Sequence, residues 1–192
     1  MSLAITYQGL DTNSDEVIDI IQGCARNERA AQERLYKMFY PKMMAMIRRY
    51  YTDTMIAEEI INNGFLKAFK NVQSFAFKGS FEGWLRKIMF HSIADYSNVQ
   101  NKYTDNILLM EKDIYFDKSA THSLYYDDLI KLVELLPEST KIVFNLFVLE
   151  DLSHKEIAQL LKISEGTSKW HVSEARKILK GKIEKLNLHL KR

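Results

Sequence analysis

The chain has 192 residues, 46 % of them hydrophobic and 27 % charged, and 27 Lys and Arg against 25 Asp and Glu leave a net charge of +2. That apolar mass excludes a disordered chain, and 7 Gly with 2 Pro supply too few turn residues for a sandwich or barrel. The single Cys24 excludes a disulfide scaffold and a cysteine zinc site, and no apolar run approaches the ~20 residues that cross a bilayer.

The N-terminus, Met1-Ser2-Leu3-Ala4-Ile5-Thr6, has neither the basic stretch nor the long apolar stretch of a secretory signal. A cytoplasmic protein without membrane insertion is expected. From Asp15 to Arg26, Val17, Ile18, Ile21 and Ala25 recur at helical spacing, with Cys24 as a small core thiol. A second helix begins at Asn27-Glu28 and carries Ala30, Ala31, Leu35, Met38 and Phe39; Pro41 marks a bend or a restart. Asp53 or Thr54 caps a third helix from Met55 to about Val72, with Ile56, Ile60, Ala68 and Val72 on one face and Glu58, Glu59, Asn62, Asn63, Lys67 and Lys70 largely on the other. A loop, Ser74 to Ser80, leads to a fourth helix from Phe81 to Tyr96, with Trp84, Leu85, Ile88 and Met89 inward.

The helical stripe fails between Ser97 and about His122, where Asn, Asp, Lys, Ser and Thr dominate. The reading is all-α: two small helical domains, 1–98 and 125–192, joined by a flexible linker at 99–124. Helical order resumes near Tyr125 with Leu129, Leu132, Val133 and Leu136, and Pro137-Glu138-Ser139 starts a helix with Ile142, Val143, Leu146 and Phe147 in its core. Residues 125–168 carry 4 basic and 8 acidic side chains, and residues 169–192 carry 8 and 2. Such asymmetry points to a polyanion partner at the basic end.

In the segment from Leu152 to Val172, Ser153 with Glu156 forms a capping box ahead of Ile157, Leu160 and Leu161. Ala158 is small where another helix must cross, Ser164 caps a further helix, and Ser168, Val172 and Ala175 follow at helical spacing. Helix, tight turn, helix is the DNA-reading helix-turn-helix, whose second helix here carries Lys169, Arg176 and Lys177. Lys162 stands at the turn where Gly ordinarily relieves a left-handed backbone, at a cost of roughly 1 kcal/mol.

From Leu136 to about Leu186 the chain resembles region 4 of the sigma-70 family, especially its extracytoplasmic-function (ECF) group, through Leu136-Pro137-Glu138, Ser153-His154-Lys155-Glu156-Ile157-Ala158, Ile163-Ser164-Glu165-Gly166-Thr167-Ser168-Lys169 and Ala175-Arg176-Lys177. A helix-turn-helix alone also suits a LuxR-type regulator, but the N-terminal half lacks the alternating strands and helices of a receiver domain. That half resembles sigma region 2, through Ala57-Glu58-Glu59-Ile60-Ile61-Asn62-Asn63-Gly64-Phe65-Leu66-Lys67-Ala68-Phe69 and Phe81-Glu82-Gly83-Trp84-Leu85-Arg86-Lys87-Ile88 with Asp95-Tyr96.

The resemblance implies a bacterial transcription-initiation factor that binds RNA polymerase core and promoter DNA, has no catalytic residue, metal or cofactor, associates with the nucleoid in the holoenzyme, and is held silent by an anti-sigma factor. By position it implies core binding by Glu58, Glu59, Asn62, Asn63 and Lys67; Asn62 and Asn63 replace the family's Gln and acidic residue. It implies minus-ten binding by Lys78, Gly79, Ser80, Arg86, Lys87, His91, Ser92 and Asp95, with His91 where Asn is frequent and without the basic run that follows Asp-Tyr. Phe75, Phe77 and Phe81 are expected in the core rather than stacked on bases. Minus-thirty-five reading falls to Thr167, Lys169, Trp170, His171, Ser173, Glu174, Arg176 and Lys177. Lys169 is the candidate for a guanine edge, and Glu174 for a cytosine amino group. Trp170 suits contact with a sugar or thymine methyl and packing on a neighbouring helix equally.

Overall fold

The structure, a computed structural model, describes residues 15–104 and 126–190, whose regular elements are helical. They are α1 (Asp15–Ala25), α2 (Arg29–Ile47), α3 (Thr54–Asn71), α4 (Phe81–Thr104), α5 (Tyr126–Val133), α6 (Glu138–Val148), α7 (His154–Leu161) and α8 (Glu165–Leu190), with a 3₁₀ turn at Val72–Ser74. The chain divides into two compact units, Met1–Ile93 and Ala94–Arg192. Residues 105–125, which include most of the expected linker at 99–124, lie outside the described residues.

In the first unit, Val17, Ile20, Ile21 and Cys24 form one buried stripe of α1 and pack against α2, whose Leu35, Phe39, Met43 and Ile47 are buried in turn. Burial pushes the Cys24 thiol up to about 11, with the Glu28 carboxylate adding to the rise. The thiol therefore stays protonated and unreactive at neutral pH. Pro41 does not break α2. It lies on the exposed side, where the carbonyl that loses its helical donor can turn to water.

The N-cap of α3 is Asp53, whose carboxylate accepts from the backbone N–H groups of Met55 at 2.8 Å and Ile56 at 3.2 Å. Ala57, Ile60, Ile61, Gly64, Phe65 and Ala68 are the buried face of α3. At Gly64 an added Cβ would overlap Met89 Sδ and lie 2.9 Å from Met89 Cε, so the buried end of the Met89 side chain would have to move. The α3 backbone here meets the end of the Met89 side chain that reaches over from α4.

An aromatic cluster closes the start of α4. Phe81 is fully buried, with ring centroids 5.5 Å from Phe39, 5.2 Å from Phe75 and 5.2 Å from Trp84. Lys42 and Glu82 pair across α2 and α4 at 2.7 Å. Trp84 and Ile88, expected inward, are only half buried, whereas Leu85 and Met89 are fully so. The fourth helix also runs eight residues beyond the expected Tyr96, to Thr104. Its polar residues after Ser97 read as coil only because they lack an apolar stripe, yet none of them is Gly or Pro, so nothing stops the helix.

In the second unit, Ile142, Val143 and Leu146 of α6, Ile157 and Leu161 of α7, and Val172 and Ala175 of α8 make the core, and α8 packs on α5, α6 and α7. Buried Lys141, which the sequence does not mark as an inward position, is paired with Glu134 at 2.9 Å. A charge out of water is tolerated only with such a partner.

Phe81 and Phe77 separate packing from exposure within one aromatic cluster. Phe81→Ala should destabilise the full chain by about 3–5 kcal/mol, and Phe77→Ala, at a side chain that is 52 % exposed, by about 0.5 kcal/mol or less. Denaturant unfolding of both variants reads the difference; equal losses would mean that Phe77 belongs to the core.

Candidate nucleic-acid interface

The helix-turn-helix is assembled by local capping. Ser153 Oγ accepts from the Glu156 N–H at 3.3 Å, and Glu156 Oε2 accepts from the Ser153 N–H at 2.8 Å, completing the capping box of α7. The turn is made by Lys162 in the left-handed conformation, φ 56° and ψ 40°. Ser164 Oγ then accepts from the Thr167 N–H at 2.9 Å and starts α8.

The orientation of α8 follows from what it buries. Ser168, Val172 and Ala175 are 0–2 % exposed. At about 100° per residue, Trp170 stands about 160° from both Ser168 and Val172, and Lys177, seven residues on, falls within about 20° of Trp170. Trp170 is 58 % exposed. Ser173 is exposed beside it, and Thr167, Lys169, Arg176 and Lys177 are exposed around it. Lys169 and Arg176 lie on one flank rather than at the centre. Arg176 is laid across the Phe147 ring, 5.9 Å from its centroid. Glu174 is half buried, and its carboxylate is 3.9 Å from Lys177 Nζ.

His171 departs from the exposed set. It is half buried, its Nδ1 lies 3.0 Å from Thr140 Oγ1 on α6, and desolvation holds its pKa below the ordinary 6.5. The ring takes part in the packing of α8 on α6, so less of it is open to solvent than of the other residues expected to face DNA. His154 ties the same helices together: its ring stacks on Phe147 at 4.6 Å, and its Nδ1 lies 3.0 Å from the buried Ser168 Oγ. The sequence pattern marks neither His154 nor Thr140 as supports, because both partnerships join different helices.

On α3, Glu58, Glu59, Asn62 and Asn63 are exposed together. Tyr36 Oη donates to Asn62 Oδ1 at 3.1 Å. Lys67 is half buried and donates to Ser92 Oγ at 3.3 Å. Two exposed apolar side chains that the polar pattern hid flank this face, Met55 at 82 % and Leu66 at 55 %. Leu66 could have been noticed as an apolar break in an otherwise polar stripe.

Around the α4 N-terminus, Lys78, Gly79 and Ser80 are exposed. Gly79 has φ +84°, and Ser80 Oγ accepts from the Gly83 N–H at 3.1 Å to cap the helix. Lys87, His91 and Asp95 are exposed along α4, and half-buried Arg86 lies 5.9 Å from the Phe90 ring centroid. Ser92 is corrected: it is 3 % exposed, and its hydroxyl donates to the Ile88 carbonyl at 3.2 Å while accepting from Lys67. Its position on the buried side of α4 takes it out of reach of a ligand. Phe75 and Phe81 are buried as expected, but Phe77 stands outward with φ 55°. No residue pattern announces that backbone conformation.

The depressed His171 pKa makes a pH prediction. The unfolded side chain takes up its proton near 6.5, and the folded one resists until lower pH, so stability present above 6.5 is lost as the pH falls through the folded value. The thermal midpoint of the wild-type chain should therefore fall more between pH 7 and pH 5 than that of His171→Gln. Parallel pH dependences would show that His171 is as free in the fold as in the unfolded chain.

Two family models match the chain, sigma-70 region 2 over residues 35–102 and sigma-70 region 4 over residues 126–179. Together they cover more than half of it. The chain is 23 % identical over 180 residues to the ECF RNA polymerase sigma-E factor of Haemophilus influenzae, covering 87 % of this chain and 95 % of that one. It is 20 % identical over 188 residues to the ECF RNA polymerase sigma-E factor of Escherichia coli K12, covering 90 % and 98 %. Among solved structures, the sigma factor RpoE of Bartonella quintana, in complex with the anti-sigma factor NepR, superposes with a TM-score of 0.48 at 20 % identity, covering 79 % of this chain and 96 % of that one. Region 2 and region 4 matches in that order, with full-length relatives of one kind, agree with the helix-turn-helix built on α7 and α8: the chain belongs to the sigma-70 family, in its extracytoplasmic-function group.

Proposed function

We propose that this sigma factor divides its work between residues 1–98, for RNA polymerase core and the minus-ten element, and residues 125–192, for the minus-thirty-five element. As a member of its group it is a transcription-initiation factor that binds core polymerase and directs promoter recognition. The observation that carries the division is the outward face of α8, where Lys169, Trp170, Ser173, Arg176 and Lys177 are all exposed on a helix whose opposite face is sealed in the core. A helix presented in this way fits a major groove. Lys169 and Arg176 on its flank suit the phosphates of one strand, and Lys177 extends the cationic face.

Core binding falls to the exposed face of α3, with Glu58, Glu59, Asn62 and Asn63 supplying polar contacts and Leu66 an apolar one. Lys67, engaged with Ser92, holds α3 to α4 behind that face. Lys78, Gly79, Ser80, Arg86, Lys87, His91 and Asp95 serve the minus-ten element, with exposed Phe77 available to stack on an unpaired base. Exposed Met55, Leu66, Val148 and Leu149 offer apolar area to an anti-sigma factor, the silencing partner that the family supports. Among the described residues, no helix is long and apolar enough to cross a membrane.

The double variant Glu58→Lys with Glu59→Lys should weaken capture of core polymerase about tenfold or more, since like charges replace complementary ones across a docking face. Lys177→Ala, on the other unit, should leave capture unchanged and lower transcription from all promoters alike. A pull-down with purified core followed by reconstituted transcription reads both outcomes. Full capture by the double variant would remove α3 from the core-binding surface.

A further inference from the structure

The middle of the α8 face in its first turns is held by an aromatic side chain, with Lys177 about two turns further along the same line. Trp170 stands opposite the buried Ser168 and Val172, is 58 % exposed, and has Lys169, Ser173 and Lys177 exposed around it. An indole left in water at that position forgoes the burial that an aromatic ring ordinarily finds, and the other large side chains of the face are charged. Its orientation is supported from behind. The His171 ring meets the indole edge-to-face at 4.9 Å and 69°, and His171 Nδ1 is held at 3.0 Å by Thr140 Oγ1, itself 3 % exposed on α6. Thr140, His171 and Trp170 thus form a short rigid strut from the core of the unit to the centre of its outward face.

On the floor of a major groove the one apolar feature is the C5-methyl group of thymine, and apolar side chains read thymine through it. The cations Lys169 and Arg176 on the flank, and Lys177 two turns along from Trp170, match a polyanion, which favours duplex DNA as the occupant of this face over an uncharged protein surface. We infer that Trp170 is a specificity-determining residue that reads thymine methyl groups in the minus-thirty-five element, with His171 and Thr140 as its positioning residues. This rests on region 4 reading duplex DNA, as proposed above. It assigns the base discrimination to an apolar contact at the centre of the helix face and leaves the flanking cations to hold the backbone.

The test replaces the methyl and nothing else. Holoenzyme reconstituted with the full chain is titrated against duplex promoters, selected from a library for thymines in the minus-thirty-five element, in which each thymine is changed in turn to deoxyuridine. At the contacted thymine the wild type should lose about fourfold in affinity, the burial of one methyl-sized group. Trp170→Ala should bind thymine and uracil promoters equally. Thr140→Val, which removes the hydroxyl behind His171, should shrink the uracil penalty, and Thr140→Ser should restore it. Circular dichroism confirms that the variants are folded. A wild type indifferent to uracil at every position, or a Trp170→Ala variant with the wild-type penalty, overturns the assignment; an undiminished penalty in Thr140→Val overturns the strut. Scrambling the whole minus-thirty-five element separates the two levels. If scrambling costs affinity but uracil does not, Trp170 alone is misassigned; if scrambling costs nothing, the duplex-reading role of region 4 falls with it.

Discussion

The seating of α8 in the second unit determines what that unit can present. Three positions of α8, Ser168, Val172 and Ala175, are sealed against α6 and α7, and a helix with one face committed has its opposite face defined to within a few tens of degrees. Small side chains at two of the three let the helices approach closely. The polar member, Ser168, is matched by His154, so its hydroxyl is not left unpaired in the core. His154 stacks in turn on Phe147, across which Arg176 lies. One buried contact therefore fixes the helix-turn-helix angle and lays down part of its cationic edge.

The first unit uses the same economy with a different device. Gly64 lets α3 come against Met89 of α4, and Lys67 reaches to Ser92 across the same pair of helices. With that side of α3 turned to α4, Glu59, Asn62, Asn63 and Leu66 are exposed as a group on its outer side. The face is mixed rather than purely polar, which suits docking on a protein surface, where apolar contact adds affinity and charge adds register.

Charge separates the surfaces further. The whole chain is only +2, yet residues 169–192 carry 8 basic and 2 acidic side chains. A nearly neutral chain exerts little long-range pull on DNA, and its excess of positive charge is confined to the C-terminal stretch. Such a protein gains promoter affinity by being held beside DNA on a larger partner, where a second weak contact becomes intramolecular. This is the physical sense of a factor that acts as a subunit of polymerase.

Much of this was legible in the residues themselves. Capping boxes, N-caps and apolar spacing are local chemistry, so a cap at Asp53 or Thr54, Ser153 with Glu156, Ser164 and the left-handed Lys162 could be placed from sequence, as could most of the buried positions of α6 and α7, whereas in α1 the buried stripe takes Ile20 and leaves the expected Ile18 and Ala25 half buried. Helix ends without a stop residue could not: α4 passes the expected Tyr96 because polar residues permit a helix as readily as a coil. The facing of individual polar residues was likewise beyond reach. Ser92 and His171 lie among surface residues in the chain, and only their partners Lys67 and Thr140, donated by other helices, draw them inward. Phe77 went the other way, expected in the core yet left outside beside the buried Phe75, and for Trp170, where groove contact and packing were equally expected, the exposed position was settled by which face of α8 is buried. Sequence determined which helices form and which family their order spells; tertiary packing decided which side chains remained free to meet a partner, since burial belongs to pairs of elements and not to any one of them.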